Sequence, residues 1–188
     1  TRMRYKLLEL LKQREEGETA LIAYSGDAHL VSPLSDDSNT IAAMIPALSP
    51  EIMPSIGSNP VAAFKLAKQL LEQSTVSNKR IAWFTDDIFQ EQLPQIANLL
   101  KSSDAKLVIV GIGTQEGGPV PLPSGKFLKD SQTGQAITAQ FDSGLLINLA
   151  KNTNGVYLDL RNDNRDIDII NTPNSTHSAQ LNSEEGSI

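Results

Sequence analysis

The chain has 188 residues, with 16 Lys and Arg against 22 Asp and Glu, so its formal net charge is −6 at pH 7. This acidic balance, without a block of basic residues, argues against nucleic acid as a partner, because phosphate binding needs clustered cations. The sequence contains no cysteine, which excludes thiolate zinc sites, disulfide frameworks and cysteine nucleophiles. A chain of this length can bury one hydrophobic core without such cross-links.

The first predicted elements are a helix, a hairpin and a second helix. Apolar residues recur at helical spacing near the start of the chain, and Gly17 ends that segment. Two short apolar runs, 19–24 and 28–34, flank a Ser-Gly-Asp turn and predict a β-hairpin. The polar run 35–38 offers an N-cap for a helix that Pro50 ends.

Buried strands then alternate with amphipathic helices. Pro60 opens a strong helix, since the first turn tolerates a residue without an N–H. Residues 81–84 and 107–112 are continuous apolar runs, typical of strands buried on both faces of a parallel sheet. A helix is predicted over 88–101, in which Pro94 marks either a kink or the first turn. The segment 113–140 is predicted to be a long loop that is functional or mobile. The remaining predicted elements are a helix over 141–151, a strand over 156–158 and a helix over 163–170.

This alternation predicts an α/β fold with a mostly parallel sheet, to which the hairpin adds an antiparallel edge. Strands 81–84 and 107–112 should be parallel neighbours, because one amphipathic helix between them suits a right-handed crossover. Ligands of such sheets bind outside the carboxyl ends of the strands. The candidate loops are therefore those after Phe84, after Ile112 and before Pro60.

Two kinds of enzyme site find little support. The glycines at 111, 113, 117 and 118 follow a strand, but prolines rather than a helix come after them, which disfavours a phosphate-binding loop. The sequence has no Gly-x-Ser-x-Gly motif, and only His29 and His177 could act as bases. Two solvated histidines are the simpler interpretation.

Ser58 and Asp86 form the most informative pair. One is a hydroxyl in a loop before a helix, and the other is a carboxylate at the carboxyl end of a buried strand. Magnesium prefers oxygen ligands and keeps several waters, so the two residues suit part of a metal site. The alternative is that both are helix caps, with Asp86 preceding Phe89.

Several motifs together resemble the von Willebrand factor type A (vWA) domain. Within this family, the sequence is most similar to the BatB-like membrane proteins of the bacterial (Bacteroides) aerotolerance operon. The resemblance runs over residues 1–160, and its most specific part is the Gly-x-Gly-Thr stretch with its following Gly-x-Pro-x-Pro. The motifs are Arg-Met-Arg at 2–4, Tyr-Ser-Gly-Asp-Ala at 24–28, Met-Pro-Ser-Ile-Gly-Ser at 53–58, Phe-Thr-Asp at 84–86 and Val-Gly-Ile-Gly-Thr-Gln-Glu-Gly-Gly-Pro-Val-Pro at 110–121.

The resemblance implies a three-layer Rossmann-like fold over residues 1–170, followed by a polar tail over 171–188. It also implies a metal-ion-dependent adhesion site (MIDAS) that binds Mg²⁺. Ser58 falls at the family's Thr position and Asp86 at its Asp position, whereas Asp87 stands where the family usually has Gly. The family's Asp-x-Ser-x-Ser motif is absent and would precede Thr1, so two of the five side-chain ligand positions are present.

The absent motif belongs to the first, central strand of the family's sheet, whose order is 3-2-1-4-5-6. The resemblance therefore implies a gap between the Leu21 strand and the Ile81 strand. Unpaired backbone groups cannot stay buried in such a gap. We expect it to be filled by residues upstream of Thr1, by a strand exchanged with a second copy, or by direct pairing of the two inner strands.

The function that the resemblance implies is protein–protein interaction without enzymatic activity. The chain would be part of an inner-membrane protein, with this domain on the periplasmic side and with partners among membrane or periplasmic proteins of the same operon. A partner carboxylate would complete the Mg²⁺ coordination. The alternatives are a vWA scaffold that binds partners without metal and, from another class, an α/β nucleotide-utilising or hydrolytic enzyme.

Overall fold

A computed structural model describes residues 2–14, 16–49, 53–113, 118–119, 129, 134–135, 138–139, 143–161 and 163–171. Its helices are α1 (Arg2–Lys12), α2 (Ser38–Met44), α3 (Pro60–Gln73), α4 (Leu93–Lys101), α5 (Gly144–Asn152) and α6 (Arg165–Asn171). Its strands are β1 (Thr19–Tyr24), β2 (Ala28–Ser35), β3 (Arg80–Thr85), β4 (Lys106–Gly111), β5 (Gly118–Pro119), β6 (Thr138–Ala139) and β7 (Val156–Asp159).

Strands β3, β4 and β7 form a parallel sheet with β4 in the middle. Ile81 lies opposite Leu107 and Phe84 opposite Val110, so the two apolar runs are parallel neighbours, as predicted. Strand β4 is buried along its length except at Lys106. Its position between two strands accounts for that burial, because both faces and both edges are covered.

Strands β1 and β2 form the predicted antiparallel hairpin, with Tyr24 opposite Ala28 beside the turn. Together with the parallel sheet, this hairpin confirms the predicted α/β class. Within the described part of the chain, β1 pairs only with β2, and β3 pairs only with β4. Of the three ways in which the expected gap could be filled, direct pairing of β1 with β3 is therefore wrong for these residues.

Helices cover both faces of the parallel sheet. Side chains of β4 alternate between two clusters, because successive residues of a strand point to opposite faces. Leu107 and Ile109 join the first cluster, whereas Val108 and Val110 join the second. The first also contains Phe64, Trp83, Ile96, Leu100, Leu146 and Leu149, from β3, α3, α4 and α5, and the second contains Leu10, Ile167 and Ile170, from α1 and α6.

Two helices are shorter than the sequence predicts. Helix α4 begins at Leu93 rather than at residue 88, and a short 3-10 turn (Gln90–Gln92) precedes it. Pro94 lies in its first turn, so the proline marks the start of the helix instead of a kink. Helix α5 begins at Gly144, a few residues after the predicted start.

Most of the predicted loop over 113–140 lies outside the described residues, as does the tail from 172. Within that segment, Gly118 and Pro119 pair antiparallel with Ala139 and Thr138 as the short strands β5 and β6, which the sequence did not predict. A search of the described residues finds no helix that is long and apolar enough to span a membrane.

Candidate functional site

Three loops lie at the carboxyl edge of the sheet, where the sequence places its candidate residues. The first, 25–27, follows β1, and the second, 53–59, leads into α3. The third, 86–89, follows β3. This edge is the ligand-binding side of open α/β sheets.

Hydrogen bonds fasten the first two loops to each other. The backbone N–H of Gly26 donates to the Ser55 carbonyl at 3.2 Å, and that of Asn59 donates to the Ser25 carbonyl at 2.6 Å. The Asn59 side chain adds a bond from Nδ2 to the Gly26 carbonyl at 3.2 Å. The Ser55 hydroxyl donates to the carboxylate of Asp27, and the Ser25 hydroxyl donates to the Ser55 carbonyl. The two loops thus form one unit.

Gly26 is required by the close approach of these loops. A Cβ at this position would lie 2.8 Å from the Ile56 carbonyl oxygen and 2.9 Å from the Ser55 Cβ. Such distances are shorter than van der Waals contact, and the first of them involves backbone, so a larger residue would push the loops apart.

A chain of side-chain hydrogen bonds joins β1 to β3 and its following loop. Trp83 Nε1 donates to the Tyr24 hydroxyl at 2.8 Å, and that hydroxyl donates to Thr85 Oγ1 at 3.0 Å. Thr85 Oγ1 in turn donates to the Asp87 carbonyl at 2.8 Å. Burial raises the pKa of Tyr24 above its ordinary value, so this hydroxyl stays protonated at neutral pH.

Gln92 joins the second loop to the third. Its Nε2 donates to the Ser58 carbonyl at 3.2 Å, and its Oε1 accepts from the backbone N–H of Phe89 at 3.1 Å. A single amide therefore fixes the loop that carries Ser58 relative to the segment after β3.

The structure contradicts the capping alternative for both candidate residues. Asn59, not Ser58, is the N-cap of α3, and its Oδ1 accepts from the N–H of Ala62 at 3.2 Å. Asp87, not Asp86, accepts from the N–H of Ile88 at 2.7 Å. Ser58 is half-buried and Asp86 is exposed, and among the described residues neither side chain forms a hydrogen bond.

The described residues supply too few donors for a complete metal centre. Ser58 and Asp86 offer one hydroxyl and one carboxylate, and no group of three His, Asp or Glu suited to a metal ion occurs in the part of the chain that the structure describes. Magnesium favours six oxygen ligands and gives up water reluctantly. These two residues therefore do not by themselves make a Mg²⁺ site.

Sequence reasoning missed three residues that organise the edge, namely Tyr24, Asn59 and Gln92. Asn59 carried a local signal, because Asn directly before a helix-opening Pro is a typical N-cap arrangement, and Tyr24 appeared only as part of a family motif. The contacts of Tyr24 and Gln92 join residues distant in sequence.

The other sequence candidates lie elsewhere or outside the described residues. His29 is exposed in the hairpin, and His177 lies in the undescribed tail. Gly111 ends β4 and Gly113 follows it, while residues 114–117 are not described.

Comparison with known proteins supports the resemblance. Residues 1–89 match the family model of the von Willebrand factor type A domain. A search of curated proteins finds no significant match.

Solved structures with the same fold cover nearly the whole chain. An aerotolerance-related membrane protein from Bacteroides fragilis shares 22% identity at a TM-score of 0.79, over 92% of this chain and 86% of its own. BatB from Bacteroides thetaiotaomicron shares 19% identity at a TM-score of 0.77, over 89% and 82%. Proximal thread matrix protein 1 from mussel byssus, with zinc in its MIDAS motif, shares 15% identity at a TM-score of 0.61, over 90% and 39%.

The match to the family model includes the strands β1, β2 and β3, and the structural likeness extends over the remaining sheet. Residues 1–89 are therefore similar in sequence to the von Willebrand factor type A domain, and the chain is similar in fold to an aerotolerance-related membrane protein and to BatB of Bacteroides species.

Proposed function

We propose that this domain is a non-enzymatic protein-interaction module whose binding face is the carboxyl edge of the sheet. The observation that carries the proposal is the set of three loops fixed to one another there, which leave Asp86 exposed and Ser58 half-exposed. A rigid edge with free oxygen atoms is suited to binding a partner, because little order is lost on association.

The matched structures suggest where the module works. Two of them come from proteins described as aerotolerance-related or as BatB, and one of these is called a membrane protein. We propose that this chain is the interaction domain of a BatB-like bacterial inner-membrane protein, placed on the periplasmic side. Its partners would be membrane or periplasmic proteins of the same operon.

The metal contribution follows from the donor count. Ser58 would provide a hydroxyl and Asp86 a carboxylate, directly or through water, to a Mg²⁺ that needs further ligands. The second candidate is a scaffold that binds partners without metal. It is favoured by Asp87, which stands at the usual Gly position and uses its carboxylate to bind the Ile88 N–H.

Site-specific photo-crosslinking in bacterial cells tests the proposal. A photoreactive amino acid at Asp86 or Gln90, both exposed near the edge, should crosslink the protein to a discrete partner. The matched control places it at Glu72, which is exposed on α3 at the opposite end of that helix from Pro60.

The expected result is a partner band from the edge positions and none from Glu72. Equal bands from all three positions, or no band from the edge, would contradict the proposed binding face. Turnover of an added nucleotide or ester by the purified protein, lost in Asp86→Ala, would instead support the enzyme alternative.

A further inference from the structure

Two apolar side chains stand in solvent on either side of the candidate site. The Ile56 side chain, two residues before Ser58, is fully exposed, at 103% of the reference area. Phe89, three residues after Asp86, is 48% exposed. Gln92 connects the two loops, because it contacts both the Ser58 carbonyl and the Phe89 N–H.

The loop below Ile56 is held in place. The Ile56 carbonyl lies against Gly26, and the neighbouring Ser55 carbonyl accepts hydrogen bonds from the Ser25 hydroxyl and the Gly26 N–H. Gly57 has a φ of +140°, a conformation that favours glycine and turns the chain directly after Ile56. An apolar residue on such a loop cannot easily fold back into the core. A rigid, exposed apolar group is typical of an interface anchor.

The described loop segments that carry or flank these two side chains are acidic. Segments 24–27, 55–60 and 85–92 contain no Lys or Arg. They contain four acidic residues, all exposed: Asp27, Asp86, Asp87 and Glu91. A partner that covers Ile56 and Phe89 must therefore bring positive charge close to these carboxylates, since a negative partner would be repelled.

We infer that Ile56 and Phe89 anchor a protein segment that combines apolar side chains with Lys or Arg. This inference rests on the proposed function and specifies the chemistry of its partner. The apolar residues of the segment contact Ile56 and Phe89, and its basic residues lie against the acidic rim. Neither contact uses a metal ion, so the 188-residue chain can form this interaction without one.

Selection from a displayed library of random 12-residue peptides tests the inference on the purified chain, with EDTA present and again with Mg²⁺. Enriched peptides should combine aliphatic or aromatic residues with Lys or Arg and should bind more weakly as salt rises. The double variant Ile56→Ser/Phe89→Ser should weaken their binding about tenfold or more. The matched control, Leu30→Ser/Val76→Ser, removes two other exposed apolar side chains and should leave binding unchanged.

Three results would overturn the inference: no enrichment in either buffer, enrichment of acidic peptides, or equal loss of binding in the two double variants. Circular dichroism melting checks that both variants remain folded. Failure here is distinct from failure of the proposed function, because crosslinks from residues 86 and 90 in cells would persist even if Ile56 and Phe89 were not anchors.

Discussion

Gly26 shows how a single residue controls the candidate face. A Cβ there would meet the Ile56 carbonyl oxygen at 2.8 Å, and the loops that would have to move are bonded to each other. We predict that Gly26→Ala lowers the free energy of unfolding by about 1–3 kcal/mol, as overpacking does. Urea denaturation measures the change.

Gly155→Ala is the matched control, since its Cβ would lie 2.6 Å from the Leu107 carbonyl oxygen, away from the carboxyl edge. Both variants should be destabilised, but only Gly26→Ala should weaken peptide binding at the face. A Gly26→Ala protein as stable as the original would show that these loops separate freely.

Tyr24 gives a prediction that depends on pH. Its hydroxyl accepts from Trp83 Nε1, and Trp83 is 5% exposed, so Tyr24→Phe leaves a buried N–H unpaired at a cost of about 1–3 kcal/mol. Because burial raises the pKa of Tyr24 in the folded state, its contribution to stability is complete below the ordinary tyrosine pKa of 10.0 and is lost as pH rises above it.

Denaturation at pH 7 and between pH 9 and 11 measures both effects. The original chain should lose stability more steeply above pH 10 than Tyr24→Phe does. Tyr5→Phe, at a side chain that is 60% exposed, serves as the control and should match the original at every pH. Identical alkaline slopes for the original and Tyr24→Phe would argue against a buried Tyr24 hydroxyl.

Ser58 and Asp86 were identifiable from the sequence as a hydroxyl and a carboxylate at the right edge, but their local roles were not. Spacing alone permits either residue to cap a helix. The structure gives the N-cap of α3 to Asn59, and Asp87 rather than Asp86 accepts the N–H of Ile88; a shift of one residue is beyond what a sequence pattern distinguishes. Whether the two side chains act together at a metal stays a prediction.

That prediction has a direct measurement. Two oxygen donors leave most of the Mg²⁺ coordination to water, which offers little gain over the hydrated ion. Titration calorimetry of the 188-residue chain with Mg²⁺ should therefore show no binding in the micromolar range. Micromolar affinity that disappears in Asp86→Asn would mean that this chain completes the site with other residues.

At the scale of elements, a buried ion pair fastens α6 to α1. Lys6 Nζ lies 2.7 Å from Asp166 Oδ1, and the two side chains are only 5% and 2% exposed. The Asp166 carboxylate also accepts from the backbone N–H of Arg161, before α6, and from that of Ile167, in its first turn. Removing either charge leaves the other charged group buried and unpaired.

We predict that Lys6→Met lowers the free energy of unfolding by about 3–5 kcal/mol, the cost of an unpaired buried charge. The double variant Lys6→Met/Asp166→Leu should recover much of that loss, because no buried charge then remains. Lys12→Met removes an exposed ion pair with Glu9 on the same helix and should change the free energy of unfolding little. Chemical denaturation of the three variants compares them, and an equal loss in Lys12→Met would contradict this account.

The elements themselves were largely predictable where one physical signal dominated. Continuous apolar runs identified β3 and β4, because only strands covered on both faces are so uniformly apolar. The start of α4 was not predictable, since Ile88 and Phe89 fit the helical pattern by spacing. In the structure, Ile88 is buried, and the backbone of Phe89 is extended before a 3-10 turn. Tertiary contacts, not local spacing, determine this arrangement.

At the scale of the whole molecule, β1 and β3 each have one hydrogen-bonded neighbour among the described residues. All of β1 and most of β3 are only half-buried, whereas β4 is buried at every residue after Lys106. Tyr24, at the end of β1, reaches Trp83 and Thr85 of β3 through its side chain rather than through backbone pairing. Among the described residues, no strand pairs with the second edge of β1 or with the second edge of β3 over residues 81–85, so these edges can accept another strand.

We predict that hydrogen exchange of the monomeric 188-residue chain is faster for the free-edge amides of β1 and β3 than for the amides of β4, because only the latter are bonded within a covered sheet. A strand exchanged with a second copy would slow the β1 and β3 amides as protein concentration rises. A strand from residues encoded before Thr1 would slow them at every concentration, and only in a polypeptide that includes those residues.

Mass spectrometry of exchange across a concentration series, with molar mass measured by light scattering, distinguishes these cases. Protection of β1 and β3 equal to that of β4 in a dilute monomer would contradict the presence of open edges, and with them the sheet order that the family resemblance implies.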